Sequence, residues 1–439
     1  MNLRDKQILQ IALPSIVSNI TVPLLGLIDV AITGHLGGAA YVGAIAVGGM
    51  LFNIIYWAFA FLRMGTSGMT AQAFGARQLK EVVNVLLRAI FVALAVAFVL
   101  LCLQRVVRDV ALSLIHPSAE VAQLARTYYN IVVWGAPASL LMFVLSGWFL
   151  GMQNSKAPMA MSIIQNVANI LFSLLLVFGL GWKIEGVALG TVLAQYLGLG
   201  VGIFLLLTRY GRLRRYCELS QVLVKQGLVR FFLLNKDIFL RTLCLIFVHF
   251  FFISAGAKYG DSALAVNALI MQLYLLFSYI MDGFAFAGEA LVGKAIGARS
   301  RLLFVSVVKR LFLWGAGMML LFTCLYALFG ETILHLLSND PAVVLASAEY
   351  HLWALLLPVC GMAAFIWDGI YIGATATKGM LLAMASGMLV FFAAYVLLAP
   401  SLGNHALWLA FNLYTFMRGL VQTLVFASRR GIYLPVIRK

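Results

Sequence analysis

An isolated acid within a long apolar run is the residue whose chemistry is easiest to read in this sequence. Asp29 lies about 21 residues after the start of that run at residue 8, roughly 31 Å along a helix that rises about 1.5 Å per residue. A carboxylate inside a membrane helix costs several kcal/mol, so its presence predicts a function such as proton binding and release. The alternative is a structural carboxylate that caps the helix end or forms an ion pair.

Two prolines share this run with Asp29. Pro14 and Pro23 lack a backbone N–H, so each removes one hydrogen bond from the helix. A helix weakened in this way can adopt straight and bent forms, and protonation of Asp29 would change the balance between them. We therefore predict that the charge of Asp29 controls bending of the first helix at Pro14.

Polar side chains in two later runs could accompany this acid. Asn166 and Asn169 lie three residues apart, which places them on one helix face, and Thr191 of the next run could join them. Hydrogen bonds that hold the helices together are the structural alternative for these residues.

The second half of the chain has its own charged residues in apolar runs: Asp282, Glu289, Asp368 and Arg418. An Asp368–Arg418 ion pair would satisfy both charges without any transport role, so structure and ion coupling both remain open there. Glu289 is expected near the cytoplasmic end of its helix, either reaching solvent or linked to Lys294. Arg63 and Arg241 are expected at the membrane interface.

Membrane helices must position these side chains. Of the 439 residues, 63% are hydrophobic and 10% charged, whereas soluble domains average about a quarter charged. Runs of about 20 apolar residues cross a bilayer as helices, and continuous apolarity excludes the alternating strands of a barrel. The sequence predicts an all-α integral membrane protein with twelve transmembrane helices, at 8–33, 43–66, 84–104, 127–150, 157–180, 185–208, 238–258, 264–292, 304–328, 350–373, 378–399 and 403–427.

An internal repeat divides these helices into two halves. The segment Ala73–Arg77 recurs as Ala295–Arg299, so that Gly75 and Gly297 are 222 residues apart. The same spacing relates Gly34 to Gly256. It also relates three residues near the fourth predicted helix of each half: Gly147 to Gly369, Gly151 to Gly373, and Lys156 to Lys378. We predict two pseudo-symmetric six-helix lobes, 1–208 and 237–439, related by an axis along the membrane normal and separated by a basic cytoplasmic linker, 209–236.

The chain has a formal charge of +16, and its basic residues are distributed unequally between the two sides of the predicted membrane. With the amino terminus in the cytoplasm, most basic residues between helices fall inside, among them those of the linker, and the even number of helices returns the carboxyl terminus to the same side. The opposite side receives only Arg105, Arg108, Arg126, Lys183 and Lys258. This positive-inside distribution argues against nucleic acid as a partner.

Metal chemistry finds no support in the sequence. The five cysteines show no paired spacing, and the six histidines are dispersed. His35 and His405, each beside a short outer turn, are interpreted as structural residues. We expect no cofactor and no metal site.

Several motifs resemble one transporter family. Ala12-Leu13-Pro14 through Leu27-Ile28-Asp29-Val30, Thr70–Arg77, Asp282–Ala285 with Glu289, and Gly403–Trp408 are similar to segments of the multidrug and toxic compound extrusion (MATE) family. They most resemble its bacterial branch named for DNA-damage-inducible protein F (DinF). The resemblance covers nearly the whole chain and implies two six-helix bundles arranged as a V, with drug export coupled to a proton or sodium gradient.

One position departs from part of that family. Archaeal and some bacterial members place a second acid one turn after the second Asn of this helix, where this sequence has Ser173. Sodium prefers several hard oxygen ligands, whereas a proton needs one titratable group. The departure favours H⁺ as the coupling ion, with Asp29 as its main site, and leaves Na⁺ as an alternative.

The predicted function is secondary active export, not enzymatic catalysis. The sequence contains no G-x-x-x-x-G-K-[ST] loop, no H-E-x-x-H and no nucleophile with a convincing base. Its 31 Phe, 16 Tyr, 8 Trp and 17 Met could provide an adaptable lining for lipophilic or cationic organic compounds. We expect a monomeric antiporter in the bacterial inner membrane. A lipid or oligosaccharide flippase of related architecture is the alternative, which extra paired helices and a cationic cleft would favour.

Overall fold

Helices account for nearly all of the described chain. The computed structural model describes residues 3–34, 38–218, 224–337 and 341–428, and none of these residues forms a strand. The described residues of the first half form these α-helices: α1 (Leu3–Gly34), α2 (Ala39–Ala58), α3 (Phe61–Gly75), α4 (Leu79–Cys102), α5 (Gln104–Ile115), α6 (Ala119–Val132), α7 (Ala136–Gly151), α8 (Lys156–Leu174) and α9 (Ile184–Tyr210). Three of these helices are extended by short turns: α6 by a 3-10 turn at Val133–Gly135, α8 by a π turn at Leu175–Gly179, and α9 by a 3-10 turn at Gly211–Tyr216.

The second half repeats this plan with longer helices. They are α10 (Lys225–Ala257), α11 (Asp261–Gly297), α12 (Arg301–Leu337), α13 (Pro341–Ser347), α14 (His351–Gly373), α15 (Thr377–Leu402) and α16 (Asn404–Ala427). A 3-10 turn at Ala348–Tyr350 joins α13 to α14.

The predicted helical membrane fold is confirmed. Each predicted span coincides with one helix or with two helices joined through a short turn. Ten helical segments of the described chain are long and apolar enough to cross a bilayer; α1 and α16 are not among them, although each has 24 residues or more. Helices are the structure that such runs adopt in lipid because every backbone hydrogen bond is satisfied within the segment.

The chain folds into two compact units. One contains the amino-terminal residues up to Ile16, Gly75–Arg77 and the chain from Leu233 onward; the other contains Val17–Phe74 and Gln78–Phe232. Helix α1 therefore contributes to both units, whereas the lobes expected from the sequence assign all of α1 to the first. Within the first-half unit α2 packs on α6, α4 on α7 and α8 on α9. Within the other, α14 packs on α11, α12 and α16, and α15 packs on α16.

The backbone repeats at the spacing found in the sequence. Three pairs of residues with positive φ are each separated by 222 positions: Arg77 (58°) and Arg299 (53°), Gln153 (65°) and Thr375 (53°), and Gly181 (71°) and Gly403 (54°). Left-handed backbone is rare outside glycine, so these coincidences indicate duplicated turns.

Glycines mark an equivalent helix crossing in each half. A Cβ at Gly147 would overlap the backbone oxygen of Arg63, and a Cβ at Gly369 would overlap that of Ala285. Both members of the second pair lie 222 residues after those of the first. Only glycine allows backbones to approach so closely, as is common between membrane helices. Superposition of the whole lobes, 1–208 on 237–439, stays a prediction.

Candidate functional site

A buried ionic network joins three helices of the second half. Asp368 on α14 accepts hydrogen bonds through Oδ2 from Nη2 of Arg418, at 2.8 Å, and from Nη2 of Arg241. Its Oδ1 accepts a hydrogen bond from Nε2 of Gln422, at 2.6 Å. All four side chains are buried, with Arg418 only 2% exposed. The predicted Asp368–Arg418 ion pair is confirmed.

The sequence predicted neither the start of the helix that carries Arg241 nor the partner of this residue. Its predicted span began at residue 238, which placed Arg241 at the membrane interface. The helix α10 instead begins at Lys225, so Arg241 lies 16 residues inside it, about 24 Å from its start. Burial requires a counter-charge, and Asp368 supplies it. Two guanidinium groups share this one carboxylate, which leaves the group of three with a formal charge of +1.

Sequence reasoning also missed Gln422 and a second polar contact. Gln422 follows Arg418 by four residues, a spacing that places both on one face of α16 and that could have identified it. One face of α10 carries Asp237 as well, and this buried carboxylate accepts a hydrogen bond from Oγ1 of Thr377 at 2.9 Å. No local signal linked that pair, because 140 residues separate its members.

Aromatic side chains pack beside the ionic network. The guanidinium of Arg418 lies 5.3 Å from the centre of the Tyr414 ring, a cation–π distance. Tyr274 packs edge-on against Phe411 with ring centres 5.0 Å apart, and His249 also contacts Phe411. These rings lie on α10, α11 and α16, and two of these helices, α10 and α16, also carry residues of the ionic network.

Asp282 and Glu289, the other two second-half acids singled out from the sequence, lie on α11. Asp282 is half-buried, and Glu289 follows it by about two helical turns on the same face. The side chain of Glu289 is 1% exposed, so the solvent-reaching position considered for it is wrong. Its backbone oxygen lies under Gly373, where a Cβ would come within 2.6 Å.

The first-half polar residues come together as a small cluster between α8 and α9. Nδ2 of Asn169 donates to Oγ1 of Thr191 at 3.1 Å, and Oγ of Ser173 donates to Oδ1 of Asn169 at 3.3 Å. The hydroxyl of Thr191 in turn donates to the backbone oxygen of Val187 at 3.0 Å. Nδ2 of Asn166 is buried without a hydrogen-bond partner. Asn166 lies one helical turn before Asn169 on α8, but no hydrogen bond links it to the cluster.

Helix α1 carries the remaining predicted residues. Pro14 is half-buried and Pro23 exposed, and both lie inside the helix. The backbone of Asp29 is helical; its side chain lies outside the described residues, as does His35. Among the described residues, no group of three or more His, Cys, Asp or Glu side chains could hold a metal ion.

Comparison with known proteins identifies the family. The family model MatE matches residues 14–175 and 238–396, which together are more than half of the chain and lie on either side of the linker. The chain belongs to the MatE family. This assignment confirms the resemblance drawn from its motifs.

Individual relatives show to which branch of the family this MatE protein is most similar. It is 38% identical over 417 residues to DNA damage-inducible protein F of Escherichia coli K12, covering 95% of this chain and 90% of that protein. It is 21% identical to the probable multidrug resistance protein NorM of Thermotoga maritima, covering 77% and 73% of the two chains. The DinF branch is therefore confirmed.

Solved MATE structures share the fold. The Vibrio cholerae transporter VcmN in its bent form aligns with a TM-score of 0.85 at 16% identity, covering 97% of this chain and 96% of that one. A MATE structure in the bent conformation aligns with a TM-score of 0.85 at 18% identity, covering 98% and 96%. This MatE chain is thus a polytopic membrane protein of a multidrug efflux transporter family.

Proposed function

We propose that the protein is a proton-driven antiporter that exports lipophilic or cationic organic molecules, with Asp29 as the main protonation site. The observation that carries this proposal is the ionic network around Asp368. Both oxygens of that carboxylate are engaged, by Arg241, Arg418 and Gln422, so we interpret Asp368 as a structural residue and not as the proton carrier. Asp29 is then the acid whose position in a proline-containing membrane helix suits reversible protonation.

The packing of α1 supports bending near Pro14. The segment of α1 up to Ile16 belongs to the unit formed mainly by the second half. Oδ1 of Asp5 accepts a hydrogen bond from Nε1 of Trp314 at 3.2 Å, and its Oδ2 lies 3.5 Å from Nη1 of Arg310. The start of α1 is therefore anchored on α12. Pro14 lies just before α1 passes into the other unit, where a weakened helix can change direction.

The first-half cluster supports a proton over sodium. The hydroxyl of Ser173 is committed to Asn169, and that of Thr191 donates to a backbone oxygen. These groups carry no charge, and Ser173 provides no second carboxylate. A proton-loaded acid needs fewer ligands than a sodium ion, which requires several oxygen atoms.

We place the protein in a bacterial inner membrane as a monomer, with both termini in the cytoplasm. The charge distribution supports this orientation because basic residues concentrate on the side of the 209–236 linker. The substrates are small organic molecules taken up from the cytoplasm or the bilayer, and nucleic acid has no part in the cycle.

Proteoliposomes with separately imposed gradients test the proposal. Efflux of ethidium, a fluorescent organic cation, is measured under a proton gradient alone and a sodium gradient alone, for wild type and Asp29→Asn. We expect proton-driven efflux by wild type, none above protein-free vesicles by Asp29→Asn, and no response to sodium. Sodium-driven efflux would overturn the choice of ion, and wild-type efflux by Asp29→Asn would overturn the site. Translocation of a labelled lipid without ethidium efflux would instead indicate a flippase.

A further inference from the structure

The short helix α5 lies beside the membrane-spanning helices without being one of them. It contains twelve residues, Gln104–Ile115, a length of about 18 Å against a hydrocarbon core of roughly 30 Å. It follows α4 directly, with Leu103 as the only residue between them. A helix of this length cannot cross the bilayer by itself.

Helix α5 has two apolar faces. Leu112 is buried, and Val107, Ala111 and Ile115 pack against the same hydrophobic core of the first-half unit. A neighbouring stripe is formed by Val106, Val110 and Leu114, which are 61%, 53% and 76% exposed and are spaced four residues apart. The first face is covered by protein. The second needs another apolar environment.

Basic side chains cluster at one flank of this helix. Arg108 donates from Nε and Nη2 to the two carboxylate oxygens of Asp109, at 2.9 and 3.1 Å, and from Nη1 to Oδ1 of Asn130 at 2.7 Å. The hydrogen bonds from Arg108 lower the pKa of the Asp109 carboxyl, and the positive charges of Arg126 and Arg105 lower it further. Arg108 thus binds the Asp109 carboxylate directly, and Arg105 and Arg126 act on it through their charges, so the four groups carry a combined charge of +2.

We propose that α5 lies in the membrane interface and that Arg105, Arg108 and Arg126 bind the phosphate of an anionic phospholipid. A helix with an apolar face and basic residues at its edge adopts this position, with the apolar face among acyl chains and the basic groups at the phosphates. Guanidinium groups bind phosphate oxygens through paired hydrogen bonds. Free phosphate would satisfy the charges without covering Val106, Val110 and Leu114, whereas a phospholipid does both.

The arginine cluster contains most of the basic residues that the sequence predicts on the outer side of the membrane. Of the five basic residues expected on the outer side, three are these arginines. The positive-inside rule leaves few basic residues on that side, so the grouping of three arginines on α5 and α6 favours a specific anionic partner. The proposal is independent of the export mechanism, since none of these residues lies on α1 or in the ionic network.

Photo-crosslinking from α5 tests the proposal. A benzophenone-bearing residue replaces Val110 in full-length protein reconstituted in vesicles of equal phosphatidylglycerol and phosphatidylcholine, and the lipid adducts are identified by mass spectrometry. We expect phosphatidylglycerol adducts to exceed phosphatidylcholine adducts by about fivefold or more, since each basic residue near the surface contributes roughly that factor. The same probe at Val396, a lipid-facing position on α15, reports the bulk ratio.

Charge variants separate this site from general attraction. Arg105→Gln with Arg126→Gln removes two exposed arginines and should reduce the enrichment at Val110 to about onefold. Arg212→Gln with Arg214→Gln removes two exposed arginines elsewhere in the same unit and should leave it unchanged. Equal adducts of both lipids in the wild-type background, adducts to a second copy of the chain, or no lipid adducts would each overturn the proposal.

Discussion

Arg241 and Asp368 form a buried ion pair although 127 residues separate them in the chain. Asp368 also binds Arg418 and Gln422, so a single carboxylate holds α10, α14 and α16 together. The halves differ here: the positions 222 residues before Asp368, Arg241 and Arg418 are occupied by Ser146, Asn19 and Tyr196. The helical framework is repeated in the two halves, but the three charged residues of this network have uncharged counterparts in the first half.

Loss of this carboxylate should destabilise the protein strongly. Asp368→Asn leaves two buried guanidinium groups without their counter-ion, and breaking a buried pair in this way costs about 3–5 kcal/mol. We expect a large fall in the thermal unfolding temperature in detergent. Asp109→Asn, which removes an exposed carboxylate, is the matched control and should change it little. Equal stability of Asp368→Asn and wild type would show that the network is not a structural hub.

The helix crossings should be equally sensitive in both halves. A Cβ at Gly147 or at Gly369 overlaps a backbone oxygen of the neighbouring helix, and forced overpacking costs about 1–3 kcal/mol. We expect Gly147→Ala and Gly369→Ala each to lower the unfolding temperature. Gly317→Ala on α12, where nothing lies within 4 Å, should be neutral or slightly stabilising. If all three variants behaved alike, close helix approach would not explain these glycines.

Pro14 should matter for transport more than for stability. Pro14→Ala restores a backbone donor to α1 and straightens the helix without removing Asp29. We expect slower proton-driven ethidium efflux, by roughly tenfold for a change of about 1.4 kcal/mol in the balance of the two forms, with unchanged or higher thermal stability. Pro117→Ala, in the turn between α5 and α6, is the control. Wild-type efflux by Pro14→Ala would place the bend elsewhere.

The orientation can be checked through two exposed positions. Cys217 lies after the 3-10 turn that follows α9, on the predicted cytoplasmic side, and Ser113 lies on α5, on the predicted outer side. Each is tested as the single cysteine of an otherwise cysteine-free chain. In intact spheroplasts, a membrane-impermeant maleimide should label Ser113→Cys and should label Cys217 only after lysis. The reverse pattern would invert the topology.

The sequence by itself determined the class of the molecule, its spans, its repeat and its family. A helix in lipid satisfies its backbone hydrogen bonds within its own segment, so apolar length alone identifies it. The repeat is a property of linear spacing, and the 222-residue interval recurs in the turns at Arg77 and Arg299. The Asn169, Thr191 and Ser173 cluster was predictable because its members lie on two consecutive helices.

Tertiary structure alone decided where α10 begins and which charges meet. Asn235 falls in the predicted linker and Asp237 just before the predicted span, yet both lie inside α10 and are buried there. Arg241 looked interfacial because its predicted span began at residue 238. The partner of Arg241 depends on which faces of α10, α14 and α16 meet. Packing between segments that are distant in the chain decides this, and the local pattern of apolar residues does not predict such packing.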